Sequence, residues 1–230
     1  MTSIPLLSDW FARTIASHDS VSAVSRLDSG FVSLERGDTL PAISIAPVGP
    51  DRLDLGVVES VLEAGTPTVI VLVPKASHYD WNARELALRQ GSSVQTYKEL
   101  VTFLHQEDPR GGLDKSVAYV KDRLEQHSKV RHLEMICEAT MRLRREPPLS
   151  DIVIAVEYDY EFGEESLVRA LQRHPGVNAV VNANPNGRPT MAALTHGEYA
   201  NVPVYRIAEM MGALNYDGSQ FVSYTPPKRR

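Results

Sequence analysis

Glu157 and Asp159 stand two residues apart at the end of an apolar run, DIVIAVEYDY (151–160). Alternate residues of an extended strand share a face, so both carboxylates point the same way, and Asp151 with them. Such a pair can hold Mg²⁺, which accepts one or two carboxylates and keeps several waters. Asp151 begins the run and lies roughly 20 Å from Asp159 at the rise of a strand, too far to share an ion. Glu157 and Asp159, with Glu161 and Glu164 close behind, are the compact acidic group and the candidate catalytic and metal-binding pair. The competing reading is the wet, charged end of an ordinary strand.

Two loops carry further chemistry. NANPNGRPT (182–190) offers the amides of Asn184 and Asn186 and the forked cation of Arg188, suited to a phosphate or a base edge. The same residues also read as turn chemistry, because Asn-Pro and Asn-Gly are turn dipeptides and Thr190 can cap a helix. PKASHYD (74–80) presents Lys75 for a phosphate and His78 as an acid or base. There a surface histidine and a helix-capping Asp80 are the alternative. The single cysteine, Cys137, excludes an internal disulfide and any multi-cysteine zinc centre. No Walker A loop, G-x-G-x-x-G, G-x-S-x-G or H-E-x-x-H is present.

The elements that must position these residues follow from periodicity. Helices are expected at 6–18, 54–65, 80–91 and 98–106, and strands within 21–38, at 41–48, 66–75 and 93–97. EDPRGG (107–112) reads as a linker. The charged stretch 114–146 reads as a long helix with Val117, Val120, Leu124, Leu133, Ile136 and Met141 on one face, broken near Ser128 and stopped by Pro147-Pro148. Strands 151–158, 177–183 and 202–206 then alternate with helices 164–173, 190–200 and 207–214. Such alternation implies βαβ units with parallel pairing.

The segments beginning at Leu40 and Leu149 align as an internal repeat. Ile43 meets Ile152, Ile45 meets Ile154 and Ala46 meets Ala155. One small gap sets Pro74 against Pro185 and, further on, Tyr97 against Tyr205. The expected fold class is α/β. It comprises two similar three-layer αβα halves with mainly parallel strands, joined by a long helix. The halves are 1–106 and 149–217, with linker and connecting helix at 107–148 and a tail at 218–230. In this alignment Glu157 falls opposite Val48 and Asp159 opposite Pro50, so the fold itself does not demand acids there.

The chain has 230 residues, 43% of them hydrophobic, enough for a core without covalent staples, and a formal charge of −5. That charge argues against a surface coated in basic residues for nucleic acid and leaves a local basic groove as the remaining route. No apolar run reaches membrane-spanning length, MTSIPLLSDWFARTI lacks the pattern of a signal peptide, and a cytoplasmic protein is expected.

Residues 6–105 run helix, three strands, helix, strand, helix, strand, helix. With the stretch TVIVLVPKASHYDWNARELALRQGSSVQTYKELVTFL, this order resembles the restriction-endonuclease-like PD-(D/E)XK fold, particularly its Mrr-type branch. The second half, through AVVNANPNGRPTMAALTHGEYANVPVYRIAEMMGAL, resembles the same tail. The resemblance implies an Asp near the second strand, for which Asp28 could stand, and an (E/Q)-x-K on the third. Acids would hold Mg²⁺ and the lysine would assist the attacking water. AISIAPV carries neither Glu nor Lys, and in VEYDY Glu157 is followed by Asp159 where lysine is expected.

Three functions follow as expectations. One is a degenerate nuclease-fold binding or scaffold subunit, acting with nucleic acid or a protein partner, with 114–146 as an interaction or homodimer surface. The second is a metal-dependent nuclease with an altered site at Glu157 and Asp159. The third is a Rossmann-like module binding a small nucleotide through Lys75, Asn184, Asn186 and Arg188.

Overall fold

A computed structural model of the chain describes residues 4–37, 39–74 and 77–227. The chain divides into two compact units, Met1–Asp114 and Lys115–Arg230. In the first, helix α1 (Ile4–Ile15) is followed by β1 (Ala23–Arg26), β2 (Val32–Arg36), β3 (Leu40–Val48), the two-residue β4 (Arg52–Leu53), α2 (Leu55–Ala64), β5 (Val69–Leu72), β6 (His78–Tyr79), α3 (Trp81–Arg89), β7 (Val94–Thr96) and α4 (Tyr97–Phe103). The five main strands form one sheet in the order β1-β2-β3-β5-β7. Strands β1, β2 and β3 are an antiparallel meander; β3, β5 and β7 are parallel. The apolar run of β5 is buried along its whole length, as a parallel strand covered on both faces must be. One face packs Ala46, Ile70 and Val94 against Val58 and Val61 of α2 and Ala83 and Ala87 of α3. The other packs Ile45, Val69 and Val71 against Phe11 and Ile15 of α1 and Leu100 of α4. Three layers result. Asp54 starts α2 by accepting from the Val57 amide at 3.1 Å, and Thr96 with Glu99 closes a capping box on α4.

The second unit runs α5 (Lys115–Glu125), β8 (Val130–Cys137), β9 (Thr140–Arg145), β10 (Ile152–Glu157), β11 (Glu161–Phe162), α6 (Glu164–Arg173), β12 (Ala179–Asn182), β13 (Arg188–Pro189), α7 (Met191–Ala200), β14 (Val204–Arg206), α8 (Ile207–Ala213) and the short α9 (Gly218–Val222). Its sheet has the order β14-β12-β10-β9-β8, the same progression of strands as the first. The two halves are thus similar, each with its own sheet.

The long helix at 114–146 is not formed. Only Lys115–Glu125 is helical, and residues 130–145 make an antiparallel hairpin. Leu133, Met135, Cys137, Met141 and Leu143 are buried, the period of two of a strand. Register shifts at Val130/His132 and Met135/Cys137 interrupt the ladder with β9. The turn at Glu138–Ala139 lacks the Asn-Gly or Gly residues that normally mark a two-residue hairpin. The second unit therefore begins at Lys115, and 218–230 is not wholly a tail, since it contains α9 with a buried Phe221. Nor is EDPRGG a loose linker. Pro109 is buried in a single 3₁₀ turn, Gln95 Nε2 donates to its carbonyl at 2.5 Å, and Arg84 donates to the Gly112 carbonyl at 2.6 Å.

The ladders fix the correspondence between the units. Ile45 pairs with Val69 as Ile154 pairs with Ala179, so Glu157 does occupy the position of Val48. Leu72 pairs with Thr96 as Asn182 pairs with Arg206. Pro74 therefore corresponds to Asn184, one residue from the expected Pro185, and Tyr205 corresponds to Gln95 instead of Tyr97. Both members of that last pair hold the segment after the closing helix: Gln95 bonds the Pro109 carbonyl, and the Tyr205 hydroxyl donates to the carbonyls of Phe221 and Val222.

One buried cation recurs as well. Arg36 ends β2 and Arg145 ends β9, and each is almost entirely buried. Arg36 donates to the carbonyls of Pro41, Leu104, Gln106 and Glu107, at 2.6–3.1 Å. Arg145 donates to those of Ser150, Leu214 and Tyr216 and to Asp217 Oδ1 at 2.7 Å. A guanidinium suits this place because the last carbonyls of a helix are unpaired and carry its negative end.

Candidate functional site

Glu157 is the last residue of β10. It shares strand parity with Val153 and Ala155, which pack under α6 beside Leu167 and Ala170. Its carboxylate lies 3.8 Å from Nε2 of His174, the residue that caps the C-terminus of α6. His174 is buried, with Nδ1 2.8 Å from Thr140 Oγ1 and 3.8 Å from the Cys137 sulfur. Burial pushes the Glu157 carboxyl above its usual range; Arg173 and Arg169 draw it back, and the charge of Asp159 adds to the rise. The Cys137 thiol is pushed up to about 12, chiefly by burial and secondly by Glu138, so it is no nucleophile at neutral pH.

The first unit solves the same place with apolar groups. Val48, Phe31 and Gly65 stand where Glu157, Thr140 and His174 stand in the second. Val48 and Phe31 belong to the core. A Cβ on Gly65 would come within 3.1 Å of the Phe31 ring, so the ring occupies the space that the His174 side chain takes in the other unit. Asp28, the other acid that the nuclease resemblance points to, is exposed in the β1–β2 turn.

Asp159 is fixed through its backbone. Its amide donates to Asn182 Oδ1 at 3.2 Å, and its carbonyl accepts from Asn182 Nδ2 at 2.9 Å. Asn182 Oδ1 also accepts from the Asn184 amide, and Asn184 Oδ1 accepts from the Asn186 amide at 3.0 Å. These side chains fold the loop, as turn chemistry requires. Gly187 closes it, because a Cβ there would meet the Asp159 carbonyl oxygen at 2.3 Å. Arg188 is exposed in β13, which pairs with β11 through Glu161. Glu157, Asp159, Asn184, Asn186 and Arg188 thus gather on the two crossover loops beyond the parallel strands of the second unit.

Glu161 and Glu164 do not complete a metal site. Glu161 sits in β11, and Glu164 lies 3.1 Å from His196 Nδ1. Among the described residues no group of three or more His, Cys, Asp or Glu is placed to hold a metal ion. His78 belongs to the first unit, half-buried in β6 opposite Arg52 of β4. Asp80 begins α3 without a side-chain cap and instead takes both arms of Arg52 at 2.9 Å. Lys75 lies outside the described residues.

Sequence reasoning missed His174 as the neighbour of Glu157 and Thr140 as the partner of His174. The signal for His174 was its place in RHPGVN, where α6 must end before Pro175. No helix among the described residues is long and apolar enough to cross a membrane. A scan of protein-family models, a search of curated proteins and a search of solved structures each returned no match.

Proposed function

We propose that this chain is a duplicated binding or scaffold subunit of the nuclease-like type it resembles, one that acts by holding a partner and not by hydrolysis. The observation that carries the reading is the setting of Glu157. Its carboxyl reaches back to His174 under α6, burial raises its pKa, and no lysine follows it where the resemblance expects one. A metal ligand and an activated water need a carboxylate turned out to the ion and a cation beside the nucleophile. The recurrence of helix, three strands, helix, strand, helix, strand, helix in both units supports the resemblance. The charge of −5 favours a protein partner over nucleic acid bound unaided.

The test is a titration of labelled duplex and single-stranded DNA with the full chain at low and moderate salt, alongside purification of the native chain for co-eluting proteins. Binding to neither DNA, with no co-eluting protein, would count decisively against the proposal. The altered-nuclease reading keeps one favourable observation, the charge of Asp159 felt at Glu157. It predicts Mg²⁺- or Mn²⁺-dependent cleavage that Glu157→Ala abolishes. The nucleotide reading is weakened because Asn184 already accepts from the Asn186 amide.

A further inference from the structure

The three most exposed large apolar side chains among the described residues all belong to the second unit: Tyr160 (75%), Met191 (75%) and Tyr199 (88%). Tyr158, at 54%, stands two residues before Tyr160. The two tyrosines lie on the connection from β10 to β11, and Met191 opens α7. The Tyr160 carbonyl accepts from the Arg188 amide at 3.1 Å and the Phe162 carbonyl from the Thr190 amide at 3.0 Å, so the connection runs directly beside the start of α7. Helix α7 turns only Ala193 and Gly197 fully inward. Its Met191, Leu194 and Tyr199 are exposed at helical spacing.

The fold does not require this surface, because the first unit lacks it. Gly49, packed against Leu7, stands in the place of Tyr158, and Asp51 in that of Tyr160. A half-buried Trp81 replaces Met191, and Arg89 replaces Tyr199. Charge changes together with the aromatics. Arg52 of the first unit corresponds to Glu161, Leu55 to Glu164 and Gly56 to Glu165, so these three acids, close in sequence to the tyrosines, belong to the second unit alone, with Arg188 in register with Glu161 where the first unit has His78.

We infer that this face docks a lysine- and arginine-rich protein segment in extended form, an inference that rests on the scaffold reading above. The chemistry is complementary at each point. Tyrosine faces attract guanidinium and ammonium groups. The carboxylates of Glu161, Glu164 and Glu165 attract the same charges, and the apolar face of α7 receives the aliphatic stems that long basic side chains lay along apolar surface. An acidic rim around exposed tyrosine disfavours DNA, and an apolar partner helix would make no use of these carboxylates, whose present neighbours are exposed pairs, Glu164 with His196 and Glu165 with Arg169, worth little at the surface.

The test measures binding of fluorescein-labelled deca-arginine to the full chain by anisotropy at 50 and 150 mM salt, with labelled deca-glutamate and duplex DNA as comparisons. Tyr158→Ala with Tyr160→Ala keeps every charge and is expected to weaken deca-arginine binding about tenfold. Glu161→Gln with Glu164→Gln and Glu165→Gln keeps the aromatics and is expected to weaken it comparably and to flatten its salt dependence. Glu59→Gln with Glu63→Gln and Glu85→Gln removes the same charge from exposed positions of the first unit and is expected to change affinity less than twofold. Circular dichroism confirms that each variant is folded. Equal weakening by all three variants would reduce the effect to net charge and overturn the inference, as would absence of deca-arginine binding. A chain that binds DNA or retains a different partner without binding deca-arginine overturns this inference alone. A chain that binds none of them overturns the scaffold reading too.

Discussion

At Glu157 two effects oppose each other. Burial favours the neutral acid, while Arg173 and Arg169 favour the anion; burial prevails and the pKa is raised. A group whose pKa is higher folded than unfolded contributes stability that is complete below its unfolded value of about 4.3 and is lost as pH rises through the folded value. The Glu157→Gln variant carries a neutral isostere at every pH. It is therefore expected to unfold at higher urea than the parent at pH 7 and at nearly the same urea at pH 3.5. Urea titrations followed by circular dichroism at both pH values check this. A variant less stable than the parent at pH 7 would mean that the attraction of the Glu157 carboxylate to its basic neighbours outweighs the cost of its burial.

At the scale of elements, the alternation after residue 40 was legible because buried parallel strands such as VIVL and capped helices such as Leu55–Ala64 announce themselves within about ten residues. The hairpin of β8 and β9 was not. Leu133, Met135 and Cys137 do alternate, but the apolar Ile136 between them blurs the pattern, and a spacing of Leu133, Ile136 and Met141 then passes for a helical face. The buried arginines were illegible for another reason. Arg36 finds Leu104, Gln106 and Glu107 68–71 residues away and Arg145 finds Leu214, Tyr216 and Asp217 69–72 residues away, distances no local pattern spans. Of the site, the two loops were legible from their polar residues, but the roles of the asparagines, bonded to backbone, appear only once Asp159 and Asn182 meet. Gly187 gives this element-level packing a test. Its conformation does not demand glycine, yet a Cβ would strike the Asp159 carbonyl, the Asn182 amide and Asn184. Gly187→Ala is expected to destabilise by about 1–3 kcal/mol, as overpacking does, measured as a lower urea midpoint. An unchanged midpoint would mean that the two crossover loops separate freely.

Over the whole molecule the repetition allows one unit to be perturbed while the other is watched. Both tryptophans, Trp10 and Trp81, lie in the first unit, so their fluorescence reports that unit's unfolding, whereas far-ultraviolet circular dichroism reports both. Arg36 and Arg145 hold equivalent places, each tying the end of its second strand to the carbonyls that follow its closing helix. Replacing either with methionine keeps much of the volume and leaves several buried acceptors without a donor, a loss of about 3 kcal/mol. Because each unit encloses a core of its own, Arg36→Met is expected to lower the urea midpoint seen by tryptophan fluorescence. Arg145→Met is expected to leave that midpoint in place while shifting part of the circular dichroism transition to lower urea. If Arg145→Met moved the fluorescence midpoint as far as Arg36→Met does, the two units would be unfolding as one cooperative body, and the division into separately stable halves would fail.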